Sequence, residues 1–202
     1  MKGKKSLFVL GDSISIHYGP FLRTMLRDIF DYDRKGRGKE NSEAEAEEVN
    51  GGDSAMVLEY LQRHIRRISR CDVLLLNCGL HDIKTDNRTG VTQVPLARYE
   101  QNLSAVLNLI EPQHVRLAWV STTPVEDHRH NRLNREFKRY NRDVIAYNRV
   151  ASGLMNARNV PVIDLYTFMC NLDLDLYCDH VHFTEKVRAL QASYIAGALC
   201  FL

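Results

Sequence analysis

Three residue types that together can support nucleophilic catalysis stand at the two ends of this 202-residue chain. Ser13 follows Gly11 and Asp12 directly after a short apolar run, where a strand would turn sharply into a helix. Gly11 permits a tight turn there, and the helix start offers free N–H groups to a developing oxyanion. Asp179 and His182 stand three residues apart near the C-terminus. A carboxylate at that spacing can accept from imidazole Nδ1–H and leave Nε2 as a general base. Plainer readings exist for each group. A serine at a helix start is also an N-cap, and His180 with His182 has the form of a His-x-His metal pair. His128 and His130 repeat that form in a very polar stretch. The expectation is no metal and no cofactor.

Such groups need elements that carry them to one place. Ser6–Leu10, Val73–Asn77, Val115–Ser121 and Val160–Leu165 are β-branched or leucine-rich runs without alternation, as strands buried on both faces should be. A further strand is weakly marked near Phe30–Tyr32 or at Val49. Helical spacing recurs at Phe21, Met25, Ile29; at Val57, Leu61, Ile65, Ile68; and at Tyr99, Leu103, Val106, Ile110. A long fourth helix is expected over Leu133, Phe137, Tyr140, Val144, Tyr147 and Ala151, and a closing one over Val187, Leu190, Tyr194 and Ala198. Alternation of this kind predicts an α/β fold, a parallel sheet with helices on both faces.

In open parallel sheets ligands bind beyond the carboxyl ends of the strands. Those ends carry Gly11-Asp12-Ser13-Ile14, Asn50-Gly51-Gly52-Asp53-Ser54, Asn77-Cys78-Gly79-Leu80-His81-Asp82 and Ser121-Thr122-Thr123-Pro124. Asp179–Thr184 precedes the closing helix. Thr122 and Thr123 are expected to line a substrate cleft. Cys78 reads as packing, since no base is assigned to it.

Gly11-Asp12-Ser13-Ile14, Gly52, Gly79-x-His81-Asp82 and Asp179-x-x-His182 occur in that order. This series resembles the GDSL-type, or SGNH, hydrolases, a family of esterases and acylhydrolases, over nearly the whole chain. The resemblance implies a flavodoxin-like three-layer α/β/α sandwich with a mostly parallel five-stranded sheet. It implies Ser13 as nucleophile and oxyanion donor through its N–H, Gly52 as second donor, and Asp179 orienting His182 as the base. It implies a small-molecule ester substrate, with an O-acetyl group on a carbohydrate as one case; lysophospholipase and thioesterase relatives leave the acyl group open. The family's third block usually reads Gly-x-Asn-Asp. Here His81 takes the asparagine's place, and its N–H or the Asn77 amide could complete the oxyanion hole.

Composition narrows the alternatives. Lys+Arg is 27 and Asp+Glu is 25, so no strong field favours nucleic acid. Arg132, Arg135, Arg139 and Arg142 are expected to form the solvated face of the fourth helix rather than an anion stripe. No apolar run approaches the roughly 18 residues of a membrane span. The first residues lack an apolar signal core, and five cysteines without C-x-x-C spacing suit free thiols, so a cytoplasmic location is expected. The chain reads as one domain over 1–202, with a polar charged loop at about 34–48 and a short helix possible at Ala44–Glu48. A binding module that kept the fold and lost the reaction is the rival.

Overall fold

The computed structural model describes residues 3–36 and 49–202. Five parallel strands form the main sheet: β1 (Lys5–Leu10), β2 (Phe30–Arg34), β3 (Val73–Leu76), β5 (Arg116–Val120) and β7 (Val162–Ile163). Their order is β2-β1-β3-β5-β7. Counting these strands alone, that is the flavodoxin-like 2-1-3-4-5 order, whose switch point lies between β1 and β3. Leu7–Leu10 and Val73–Leu76 are fully buried, because helices cover both faces. A separate antiparallel pair joins β4 (Thr85–Asp86) to β6 (Phe137–Lys138).

The described helices are α1 (Ser13–Met25), α2 (Ser54–Ile68), α3 (Leu96–Ile110), α4 (Asp127–Leu133), α5 (Asn141–Ala157), α6 (Leu165–Cys170) and α7 (Glu185–Leu199). α1 and α6 pack on α7, while α3 packs on both α2 and α5. None is long and apolar enough to cross a membrane. All five cysteines are free, and Cys78 is buried beside β3.

Three periodicities resolve differently from expectation. α1 stops at Met25, and Met25 and Ile29 are each 45% exposed. A row stepping by four drifts around a 3.6-residue helix, and the buried face is instead Ile14, Ser15, Tyr18, Gly19 and Leu22. The long fourth helix is two helices. α4 ends at Leu133, which is half exposed, and Phe137 enters β6 before α5 begins. The arginine face dissolves with it: Arg139 lies outside any helix and is buried, whereas Arg142 stays at the surface. His128 and His130 therefore sit on α4, with His130 fully buried. On α7 the buried face is Val187, Gln191, Ala192, Ile195, Ala196 and Leu199, and Tyr194 stacks on Phe168 with centroids 4.3 Å apart. Residues 37–48 of the charged segment, including the expected short helix, lie outside the described residues.

Candidate active site

Ser13 is the first residue of α1, and Asp12 is its N-cap. Asp12 Oδ1 accepts from Ile14 N at 3.0 Å, and Ser15 Oγ donates back to the Asp12 carbonyl at 2.7 Å. Asp12 is buried, and burial raises its carboxyl above the usual range. These contacts fix the turn out of β1. Ser13 keeps a side chain open to solvent, and its backbone N–H, at the first turn, has no intrahelical partner.

The opposite wall is a tight loop. Tyr177 and Phe183 pair across it and their rings stack at 5.0 Å. Cys178 N donates to the His182 carbonyl at 2.9 Å, closing five residues into a knot. At its tip Asp179 Oδ1 accepts from the backbone N–H groups of Val181 and His182, both at 2.7 Å. Asp179 Oδ2 lies 2.6 Å from His182 Nδ1, and His182 Nε2 lies 2.9 Å from Ser13 Oγ. Burial pushes the Asp179 carboxyl up, but the two N–H groups and His182 outweigh it and hold it well below the usual range. An acid that stays ionised, an imidazole held by it and a hydroxyl at hydrogen-bond distance form a proton-transfer line across 169 residues of sequence.

The third side comes from two loops at the ends of β3 and before α2. Asp82 is fully buried and both its oxygens accept from Ser54 N, at 2.9 and 3.1 Å, which ties the loop of Gly52 to the loop of His81. Burial pushes Asp82 up to about 7. Gly52 has φ +75°, a left-handed conformation that suits glycine, and its N–H donates to Asn50 Oδ1 at 2.9 Å. His81 is half-buried; burial, then Lys84 and Arg139, lowers its pKa to about 3, so its ring is neutral at ordinary pH. A neutral imidazole presents one N–H donor. Asn77 is differently committed: its Nδ2 donates to the Val120 carbonyl at 2.9 Å, pinning β3 to β5.

Thr122 and Thr123 are buried, at 2% and 3% exposed. Thr122 is clamped by Asn148, whose amide bonds both its N–H and its carbonyl at 2.8 Å, and its hydroxyl donates to the Cys78 carbonyl at 3.1 Å. Thr122 is thus fixed against the loop that follows β3, and both threonine side chains are withdrawn from the surface. Among the described residues no group of three His, Cys, Asp or Glu side chains is arranged to hold a metal. His180 Nδ1 faces His130 Nδ1 at 3.0 Å rather than pairing with His182.

Two neighbours carry no motif and were not legible in the sequence. His17 stands one helical turn after Ser13 and its ring lies 4.6 Å from that of His182. Arg139 donates from Nε to the Leu80 carbonyl. The i, i+4 spacing of Ser13 and His17 was the only available signal, and nothing local marked Arg139.

Comparisons with known proteins give the family of the chain. The GDSL-like Lipase/Acylhydrolase family model matches residues 7–195. The chain belongs to that family, and with it to the carboxylic ester hydrolases that act on small-molecule esters. A search of curated proteins found no match. Among solved structures, an acetyl xylan esterase, AlAXEase, superposes with a TM-score of 0.72 at 17% identity, covering 96% of this chain and 99% of that one. A lipase/acylhydrolase from Enterococcus faecalis gives 0.69 at 17% identity over 96% and 95%. The aryl esterase of M. smegmatis gives 0.66 at 16% identity over 98% and 99%. At these identities the likeness is one of fold.

Proposed function

We propose that this chain is a serine esterase that hydrolyses a small acyl ester through an acyl-enzyme on Ser13. The observation that carries the reading is the continuous line from Asp179 Oδ2 through His182 to Ser13 Oγ, at 2.6 and 2.9 Å. His182 Nε2 takes the Ser13 proton as Oγ attacks the ester carbonyl. Asp179 holds Nδ1–H and stabilises the imidazolium. The oxyanion is met by the Ser13 N–H, by the Gly52 N–H once it releases Asn50, and by the neutral His81 ring. His182 then returns its proton to the leaving alcohol. Water, activated by the same imidazole, clears the acyl group.

An acetyl group on a sugar or another polar alcohol is the substrate we favour. The likeness in fold to an acetyl xylan esterase supports it. The test is a series of p-nitrophenyl esters from acetate to palmitate. Acetate should give the highest kcat/KM, and Ser13→Ala should lower kcat by roughly 10⁴-fold. Undiminished turnover by Ser13→Ala would overturn the reading.

A further inference from the structure

A cavity of about 550 Å³ opens against α1, beginning one helical turn beyond Ser13. Its lining includes His17, Arg23, Tyr32, Arg34, Glu185 and Arg188. His17 is also the residue whose ring touches His182 at 4.6 Å, so this wall is shared with the active site. The lining thus holds three arginines and one acidic residue, Glu185, which is exposed.

Arg34 is the decisive group. It ends β2, is 3% exposed, and among the described residues has no carboxylate within ion-pairing distance. Its Nη1 donates to the Ser15 carbonyl at 3.0 Å and Nη2 reaches Ser15 Oγ at 3.4 Å, while buried Nε has no partner. Leaving an unpaired charge buried is costly, and a site keeps one where an opposite charge is to arrive. Arg188 is held by Nε to the Phe183 carbonyl at 2.7 Å, and among the described residues it has no carboxylate partner. Arg23 is exposed and has none among them either.

The fold makes room for this cation. Gly19 stands inside α1, where glycine is less favourable than alanine. A Cβ there would lie 2.8 Å from the Tyr32 hydroxyl and 3.2 Å from Arg34 Nη1. The missing side chain lets the guanidinium lie against the helix that carries Ser13.

We propose that this cavity is a subsite for an oxyanion, a carboxylate or phosphate, borne on the alcohol side of the ester and gripped by Arg34, Arg23 and Arg188. Arginine's planar fork suits both anions. His17, on the shared wall, lies four residues along the helix from Ser13, about 6 Å of rise. On this proposal the anion sits about one ring-width from the scissile bond and enters the cavity past His17 while the carbonyl sits over Ser13. As a statement about substrate, the proposal rests on the esterase reading above.

The test pairs phenyl acetate with 4-acetoxybenzoate, which has the same scissile bond and a carboxylate across the ring. Inorganic phosphate is a second probe, titrated calorimetrically into wild type and Ser13→Ala. At low salt kcat/KM for 4-acetoxybenzoate should exceed that for phenyl acetate by about tenfold, through KM. Arg34→Gln should lower that ratio several-fold and weaken phosphate binding. Arg23→Gln, at the exposed rim, should do the same to a smaller degree and serves if Arg34→Gln does not fold. Phosphate should bind Ser13→Ala as it binds wild type. Equal kcat/KM for the two esters, with no phosphate binding, would overturn the subsite and leave the esterase reading standing. Phosphate binding that Arg34→Gln abolishes, with neither ester cleaved, would uphold the subsite and count against the esterase reading.

Discussion

Arg139 Nε donates to the carbonyl oxygen of Leu80 at 2.6 Å, from a guanidinium that is 4% exposed. Leu80 immediately precedes His81, so a buried cation from the β6–α5 connection pins the loop that aims the imidazole. Burial lowers Arg139 to about 10, still charged at neutral pH, with Asp12 acting the other way.

Arg139 should therefore behave as a positioning residue. Arg139→Gln is expected to lower kcat by roughly tenfold or more, with KM little changed, because a misaimed donor is lost mainly in the transition state. A hydrogen bond from a charged donor contributes about 1.5–3 kcal/mol, so the melting temperature should also fall. Arg139→Lys should recover part of kcat. Loss of stability with kcat intact would show that Arg139 supports the fold alone.

Asp179 separates orientation from folding. In Asp179→Asn the amide oxygen can still accept from Val181 N and His182 N, so the loop should survive. The group facing His182 Nδ1 changes from acceptor to donor, which selects the wrong tautomer, and kcat should fall by about 10⁴-fold. Circular dichroism and kcat on the same sample check both halves.

The two candidates for the third oxyanion donor make opposite predictions. His81→Ala should lower kcat by roughly 10²–10³-fold with a small change in KM. His81→Asn should regain part of this, since an amide N–H also donates. Asn77→Ala breaks the bond to Val120 and should appear as about 1–3 kcal/mol of lost stability, with kcat changed less than about tenfold. A large kcat loss in Asn77→Ala alone would reverse the assignment.

Acid should unfold the protein through its histidines. Burial lowers His17 to about 4, His81 to about 3 and His130 to about 4, and lowers His180 as well. In the unfolded chain each returns to about 6.5. Between about pH 6.5 and 4 the unfolded state thus binds more of these protons, and stability falls as pH falls. Asp12 and Asp82, raised by burial, oppose this by releasing protons on unfolding above their unfolded value of about 3.8. The histidines outnumber them, and each net proton is worth about 1.4 kcal/mol per pH unit. Urea midpoints should drop steadily from pH 7 to pH 5; a flat profile would contradict the burial of these rings.

The sheet was legible because its strands announce themselves. Val73–Leu76 has no polar residue, and only a strand covered on both faces tolerates that. Tyr99, Leu103, Val106 and Ile110 likewise marked a buried helical stripe that the structure retains. That Ser13, Asp179 and His182 come together was legible because motif and chain order coincide. The break between Leu133 and Asn141 was not, since Leu133, Phe137 and Tyr140 keep helical spacing while β6 is stabilised by a partner, Thr85–Asp86, that lies far away in sequence. Arg34 and Arg139 were equally hidden: an arginine is read as surface until its burial is seen. Asn50 was overlooked because an Asn-Gly pair reads as turn chemistry.

That asparagine has a consequence for discrimination. On the proposed role of Gly52, a substrate carbonyl must compete with the Asn50 amide oxygen for the same N–H. Amide and ester oxygens are both neutral acceptors, so the exchange gains the bound substrate little. An oxygen that has taken up negative charge is a stronger acceptor, and it wins the contest as the tetrahedral state forms. The enzyme's own side chain then acts as a reference ligand, and the Gly52 N–H passes only to an oxygen more anionic than an amide, which confines its help to the transition state.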